Sequence, residues 1–252
     1  MKDRGLPQEG LKGIACFSML LDHVGATLVM LLFSVGPNEN KGLLLDLYEV
    51  LRCIGRLAFP IYCFLLAEGS AHTRNPLRYG LRLAFLALLS EIPFDLAFNE
   101  SLEWSNQNVM ITLLLGLMAL EGMKKTDRGI LKMLIVVPFA LAAELACSDY
   151  GGKGVLLIAL FAMTRGHKWA GLLQFFGMWC IFSPNHMMFL NWLGGIRFAV
   201  QEYALLAMIP IALYNGKKLG SGKAAQWGFY LFYPAHLLAL WLIGRAYGSF
   251  VG

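Results

Sequence analysis

The sequence predicts an all-α, polytopic transmembrane helix bundle of about nine spans. Hydrophobic residues make up 58% of the 252 and charged residues only 15%, against about 25% in soluble domains. Several apolar runs approach the ~20 residues needed to cross a bilayer core. Lys and Arg also alternate between dense and sparse loops, as they do when short loops fall on opposite sides of a membrane.

The spans are 11–34, 47–70, 78–98, 108–123, 131–147, 154–165, 169–183, 199–214 and 227–245. Placing loops alternately puts fourteen Lys/Arg on the side of the N-terminus, from Lys2, Arg4 and Lys12 to Lys217, Lys218 and Lys223. Four fall on the other side (Lys41, Lys153, Arg197 and Arg245), and Arg52, Arg56 and Arg82 lie within spans. Cations in excess mark the cytoplasmic face, so the N-terminus is inside and the C-terminus outside. The stretch "NESLEWSNQN" (99–108), which carries no Lys or Arg, falls outside. Without an internal repeat or long polar linker, residues 1–252 read as one membrane domain.

Composition also excludes. The basic residues are dispersed over many short segments and give no nucleic-acid footprint. The five cysteines form no CxxC and no Cys/His metal spacing, so they read as packing residues or thiols, with no metal site. The first apolar run holds two ionisable residues and lacks a small-x-small cleavage site, so no cleaved signal peptide is expected.

Chemistry is concentrated in polar residues inside the spans. "MLLDHVGATLVM" (19–30) sets Asp22 and His23 side by side in a lipid-grade run. At ~1.5 Å per residue, His23 lies ~16 Å beyond Lys12, about halfway through a ~30 Å core. Adjacent helical positions do not face each other, so each of the pair is expected to meet another helix. Span two stacks Arg52 and Arg56 at i, i+4, followed by Pro60 and Glu68. Span three has Arg78 and Arg82 at its inner end, then Glu91, Pro93 and Asp95. Asn108 and Thr112 open span four, and Tyr233 and His236 lie in the last span within "FYPAHLL". Ionisable residues at this depth face a bundle interior or a wet cavity and often mark function. Each also has a structural reading: the arginines neutralise Asp22, Glu91 or Asp95, the prolines are merely tolerated, Tyr233 is interfacial, and Glu144 and Asp149 are solvated.

Four blocks carrying these residues resemble the TraX family of membrane proteins, named for a conjugal-transfer N-acetyltransferase acting on pilin. They are "LKGIACFSMLLDHVG" (11–25), "RLAFPIYCFLLAEGSAHTRNPLRYGLRLAFLALLSEIPFDLAF" (56–98), "NVMITLLLGL" (108–117) and "YLFYPAHLLAL" (230–240). The Asp-His pair and the FPxxxFLLxEG of span two are also similar to other membrane acyltransferases. The resemblance implies a multi-pass protein of the bacterial inner membrane that uses cytoplasmic acetyl-CoA as co-substrate. It leaves the acceptor open among protein, glycan and lipid.

Acetyl transfer from a thioester to an amine or hydroxyl needs a base and stabilisation of the developing oxyanion. An imidazole kept uncharged by burial suits the first task. His23 is the first candidate base, with Asp22 orienting a partner or the acceptor, and His236 with Tyr233 is the second. Arg56 or Asn108 would polarise the carbonyl. A covalent route through Cys16 or Cys63 is disfavoured, because apolar surroundings oppose the thiolate. Anionic CoA needs cations at the inner face, supplied by Lys12, Arg74, Arg78 and Arg82, with Glu68 and His72 pairing with these arginines or lining the entry. The acceptor arrives from the outer side past Glu91, Asp95 and Asn108. The competing readings are a proton- or ion-coupled transporter with an intramembrane His/Asp relay, and a non-catalytic scaffold.

Overall fold

The computed structural model describes residues 5–99, 102, 105–182, 200–220 and 222–251. Within them the chain is helical; two isolated bridges, Leu6 with Tyr214 and Gln107 with Ser148, are the only β pairings among the described residues. Chain contacts divide it into two compact units that interleave in sequence: residues 1–61 with 166–219, and residues 62–165 with 220–252.

In the first unit, α1 (Gln8–Val24) passes into a π-helical turn (Gly25–Val29) and continues as α2 (Met30–Val35). The π turn begins two residues after His23, whose carbonyl accepts from Thr27 Oγ1 at 2.7 Å. That hydroxyl compensates a carbonyl where the i→i−4 ladder is interrupted. A short 3₁₀ turn (Asn38–Asn40) leads to α3 (Lys41–Gly55), which packs along α1 and the π turn. The start of α1 and the described residues before it are laced to the segment that follows α10 (Met208–Ala212): the Leu6 amide donates to the Leu213 carbonyl at 2.8 Å, and that of Gln8 to the Lys217 carbonyl at 2.9 Å. A helix α9 (Ala170–Phe182) and a 3₁₀ stretch (Val200–Ala207) complete the unit.

Span two does not run unbroken over 47–70. α3 ends at Gly55 and α4 (Ala58–His72) begins after a two-residue turn, at which the Leu57 amide reaches back only to the Ile54 carbonyl at 3.2 Å. Pro60 is the physical reason: it has no amide to give the Arg56 carbonyl, and a proline is tolerated only in the first turn of the helix that follows. The segment 199–214 also departs from a spanning α-helix. Its described residues form the 3₁₀ stretch and the five-residue α10, while residue 199 and Arg197 lie outside the described residues, as do Lys2, Arg4 and part of 99–108.

α3 crosses α1 closely because Gly55 has no side chain. A Cβ there would fall onto the Cβ, Cγ and Oδ1 of Asp22. Small residues at crossings let membrane helices approach. Gly55→Ala is therefore expected to cost about 1–3 kcal/mol through overpacking and to lower the unfolding midpoint in detergent. Gly42→Ala, in the same helix but with nothing within 4 Å of the added carbon, should be neutral or slightly stabilising.

The second unit holds most of α4, then α5 (Pro76–Phe98), α6 (Val109–Met123), α7 (Gly129–Leu145), α8 (Gly151–Thr164) and α11 (Lys223–Val251). These helices match the expected spans to within a few residues. α5 packs on α6 and α11, and α6, α7 and α8 pack mutually. On α5 the exposed face is Leu81, Phe85, Leu88 and Ile92, whereas Ser90 and Asp95 are buried with Leu83, Leu86 and Phe94. On α7, Ile130, Leu134, Val137, Leu141 and Leu145 are all exposed. Apolar faces outward and polar groups inward invert the pattern of a helix in water and suit lipid.

Candidate functional site

The first unit brings Asp22, Arg52 and Arg56 together. Asp22 Oδ2 accepts from Arg52 Nη1 at 2.7 Å, and Arg56 Nη2 donates to both carboxylate oxygens at 2.7 and 2.8 Å. Arg56 Nη1 donates to Gln201 Oε1 at 3.1 Å. The break after Gly55 puts Arg56 at the helix end, where its guanidinium reaches Asp22 from a turn and not from a continuous helical face. Of the possible neutralisation partners, Asp22 is the one that holds both arginines. Its two oxygens engage two cations, so it anchors the α1–α3 crossing. His23, one position on, is half-buried and belongs to this unit, as does half-buried Lys12.

The second unit gathers the other candidates at two opposite ends. At one end, Asn108 caps α6 by accepting from the Met110 amide at 3.0 Å. Its Nδ2 donates to the Ala87 carbonyl at 2.8 Å and to Glu91 Oε2. Both donor protons of that amide are thus committed in this structure, and Asn108 clamps Glu91 in position. The other Glu91 oxygen, Oε1, is buried with no hydrogen-bond partner among the described residues. Tyr233 is 2% exposed. It hydrogen-bonds the backbone of Val109, the first residue of α6, and lies within electrostatic range of Glu91, Asp149 and Tyr150. A first-turn amide lacks an intrahelical partner, so a side chain there satisfies it.

His236 follows Tyr233 by three residues on α11, on the same face, and is buried. Its Nδ1–H donates to the Phe232 carbonyl at 2.6 Å, and its ring stacks on Phe232 with centroids 4.7 Å apart. That bond fixes the tautomer and makes Nε2 the basic nitrogen. Asp95, one turn beyond Glu91, is buried and accepts from Asn99 Nδ2 at 3.2 Å. Thr112, read only as polar, donates to the Asp149 carbonyl at 2.5 Å and so ties α6 to the start of α8. Glu144, read as solvated, accepts from the Gly152 amide at 2.8 Å and caps α8.

The opposite end is rich in cations. Glu68 accepts from Arg165 Nε at 2.6 Å, and Arg165 Nη2 donates to His72 Nε2 at 3.2 Å. Neither Glu68 nor His72 pairs with Arg74, Arg78 or Arg82 among the described residues. The expected partner is replaced because α8 ends with Arg165 beside the end of α4. Lys124 is likewise neutralised by Glu121 at 2.5 Å. Arg74 is exposed, its neighbour Asn75 capping α5 through the Arg78 amide at 2.9 Å. Among the described residues no three His, Cys, Asp or Glu side chains converge as a metal site.

Sequence reasoning missed Gln201 and Arg165, which are 145 and 97 residues from their partners.

Among the described residues three helical runs, Gln8–Val35, Asn38–His72 and Ala224–Tyr247, are long and apolar enough to cross a bilayer. With leucine faces outward and carboxylates and an imidazole buried inward, they define an all-α membrane protein with polar sites inside its helix packing. The chain belongs to the TraX family: that family's sequence model, described as TraX protein, matches residues 7–244. It is also similar to a probable fimbrial assembly protein FimC, serogroup H1, of Dichelobacter nodosus, 30% identical over 240 residues, 91% of this chain and 92% of that protein. No solved structure matches it.

Proposed function

We propose that the chain is a multi-pass enzyme of the bacterial inner membrane, with its N-terminus in the cytoplasm. It transfers an acetyl group from cytoplasmic acetyl-CoA to an amine or hydroxyl of a surface-filament subunit. The likeness to a fimbrial assembly protein supports the acceptor class, and the TraX membership supports the reaction. The observation that carries the reading is the buried Glu91 oxygen left without a donor, near Tyr233 and on the side of the unit where His236 presents a fixed tautomer. A buried carboxylate oxygen without a donor is costly, and an acceptor's N–H or O–H supplies what it lacks.

The chemistry then assigns His236 as base in preference to His23. The acceptor, held by Glu91, loses its proton to His236 Nε2 as its nitrogen or oxygen attacks the thioester carbonyl. The Tyr233 hydroxyl donates to the oxyanion of the tetrahedral intermediate. Collapse breaks the carbon–sulfur bond, and the imidazolium returns the proton to the departing thiolate.

The test is purified protein in lipid nanodiscs with radiolabelled acetyl-CoA and a filament-subunit peptide. Release of CoA thiol together with label in the peptide is expected. No thiol release, with proton flux in liposomes lacking CoA, would establish the transporter instead.

A further inference from the structure

The start of α5 and that of α11 enclose a groove of about 210 Å³ in the second unit. Its surface is apolar, made by Leu81, Phe85, Trp227 and Tyr230 among others. It continues the exposed stripe of Leu81, Phe85, Leu88 and Ile92 on α5. Whole small-molecule sites are typically ~300–1,000 Å³; this smaller, apolar cleft suits a length of hydrocarbon. Its mouth sets it apart from the rest of the lipid-facing surface.

Arg78 lines the groove yet is exposed as a residue. With the lining apolar, its stem supplies the wall and its guanidinium stands outside, as long cationic side chains do at a membrane interface. No carboxylate pairs with it among the described residues. Neither α5 before Glu91 nor any part of α11 contains Asp or Glu. Glu68 and Glu121, at the same end of the unit, are held by Arg165 and Lys124. Exposed Arg74, two residues before α5, adds to the positive charge. The mouth is therefore a cationic rim over an apolar cleft.

The aromatic residues fit the same depth. Trp227 is 48% exposed and set edge-on against Tyr230, with centroids 6.1 Å apart; such rings sit at the headgroup level. Arg82, one turn beyond Arg78, lies over the rings of both Tyr79 and Tyr230, 5.5 and 5.6 Å from their centroids. It braces the Tyr230 wall and leaves the mouth to Arg78. Phe85 follows Arg78 by seven positions, ~10 Å along the helix, the distance from headgroups into the acyl region.

We propose that this groove is a binding site for an anionic glycerophospholipid, with one acyl chain along Leu81 and Phe85 and the phosphate at Arg78. A hydrocarbon chain alone leaves the cation unanswered, and free phosphate leaves the apolar wall empty. A zwitterionic lipid brings a cation of its own to a rim that already holds two arginines. The lipid bridges α5 to α11, the helices that carry Glu91 and Tyr233, so its presence stabilises that pair. It requires the membrane setting and not the acyl-transfer chemistry.

Native mass spectrometry and thermal unfolding in non-ionic detergent, titrated with phosphatidylglycerol, phosphatidylcholine or inorganic phosphate, test it. Phosphatidylglycerol is expected to bind saturably and raise the midpoint, phosphatidylcholine to bind more weakly, and phosphate to have no effect. Arg78→Gln should weaken phosphatidylglycerol by about fivefold, the worth of one cation at an anionic surface, and leave phosphatidylcholine unchanged. Arg78→Lys should keep most of the affinity. Leu81→Trp, which fills the cleft from an exposed position, should abolish saturable binding of both lipids. Arg128→Gln removes an exposed cation next to α7 and should change nothing. Unliganded midpoints equal to wild type show that these variants fold. Equal weakening by Arg128→Gln and Arg78→Gln would reveal only a diffuse surface charge and overturn the site. So would equal affinity for the two lipids, a response to phosphate alone, or undiminished phosphatidylglycerol binding by Leu81→Trp.

Discussion

Alanine at position 236 will reduce acetyl transfer by about 10²–10⁴-fold, the usual contribution of a positioned general base, while CoA affinity stays unchanged. The expectation follows from geometry. The Nδ1 bond to the Phe232 carbonyl at 2.6 Å and the stack on that ring hold the imidazole in one orientation. Tyr233→Phe, which retains the ring and loses the hydroxyl, should cost about 10²–10³-fold in kcat if it serves the oxyanion. His23→Ala should keep most of the activity. Single-turnover measurements with labelled acetyl-CoA separate these outcomes, and full turnover by His236→Ala with none by His23→Ala would reverse the assignment of the base.

Asp22→Asn will destabilise the protein more than any other single change at the α1–α3 crossing. Asp22 and Arg56 each expose only 11% of the side chain, and Arg52 exposes 24%. Removing the carboxylate charge leaves the guanidiniums of Arg52 and Arg56 facing an uncharged amide where both met a carboxylate. Breaking a buried pair from one side costs about 3–5 kcal/mol. Arg56→Gln should cost less, because Arg52 still meets Asp22, and Arg52→Gln least, because Arg56 holds both oxygens and the lost group is the more exposed. The double variant Asp22→Asn/Arg56→Gln should be more stable than Asp22→Asn alone. Unfolding midpoints in one detergent give the order, and additive losses in the double variant would contradict the pairing.

Much of this architecture was legible in the residues. Hydropathy placed most helices to within a few positions, because a lipid-facing helix must be apolar along a fixed length. What it missed follows from its averaging. A window over 47–70 sees apolar content and not the amide that Pro60 lacks, so the turn at Arg56–Leu57 was invisible. The stretch from Val200 to Ala207 has the composition of a span, but its 3₁₀ winding is a matter of hydrogen bonding.

At the site, position and depth pointed to Asp22, Glu91, Asn108 and His236, but partners did not follow from depth. Asp22 had several arginines within chemical reason, and only packing selects two. The side-chain amide of Asn108 suits both an oxyanion donor and a helix cap with a carboxylate clamp, and the folded chain uses it for the second. Glu68 found Arg165 over arginines closer in sequence because helix ends, not sequence neighbours, meet in a bundle.

The interleaving of the two units imposes an order on biosynthesis. Asp22, Arg52 and Arg56 are all made within the first quarter of the chain, and the ion cluster is complete once the turn after α3 has left the ribosome. Gln201, which accepts from Arg56 Nη1, follows 145 residues later; at about 5–20 residues per second that is a delay of roughly 7–30 s. During that interval the early helices must persist as an unfinished assembly while α5 to α8 of the second unit are made ahead of their missing piece.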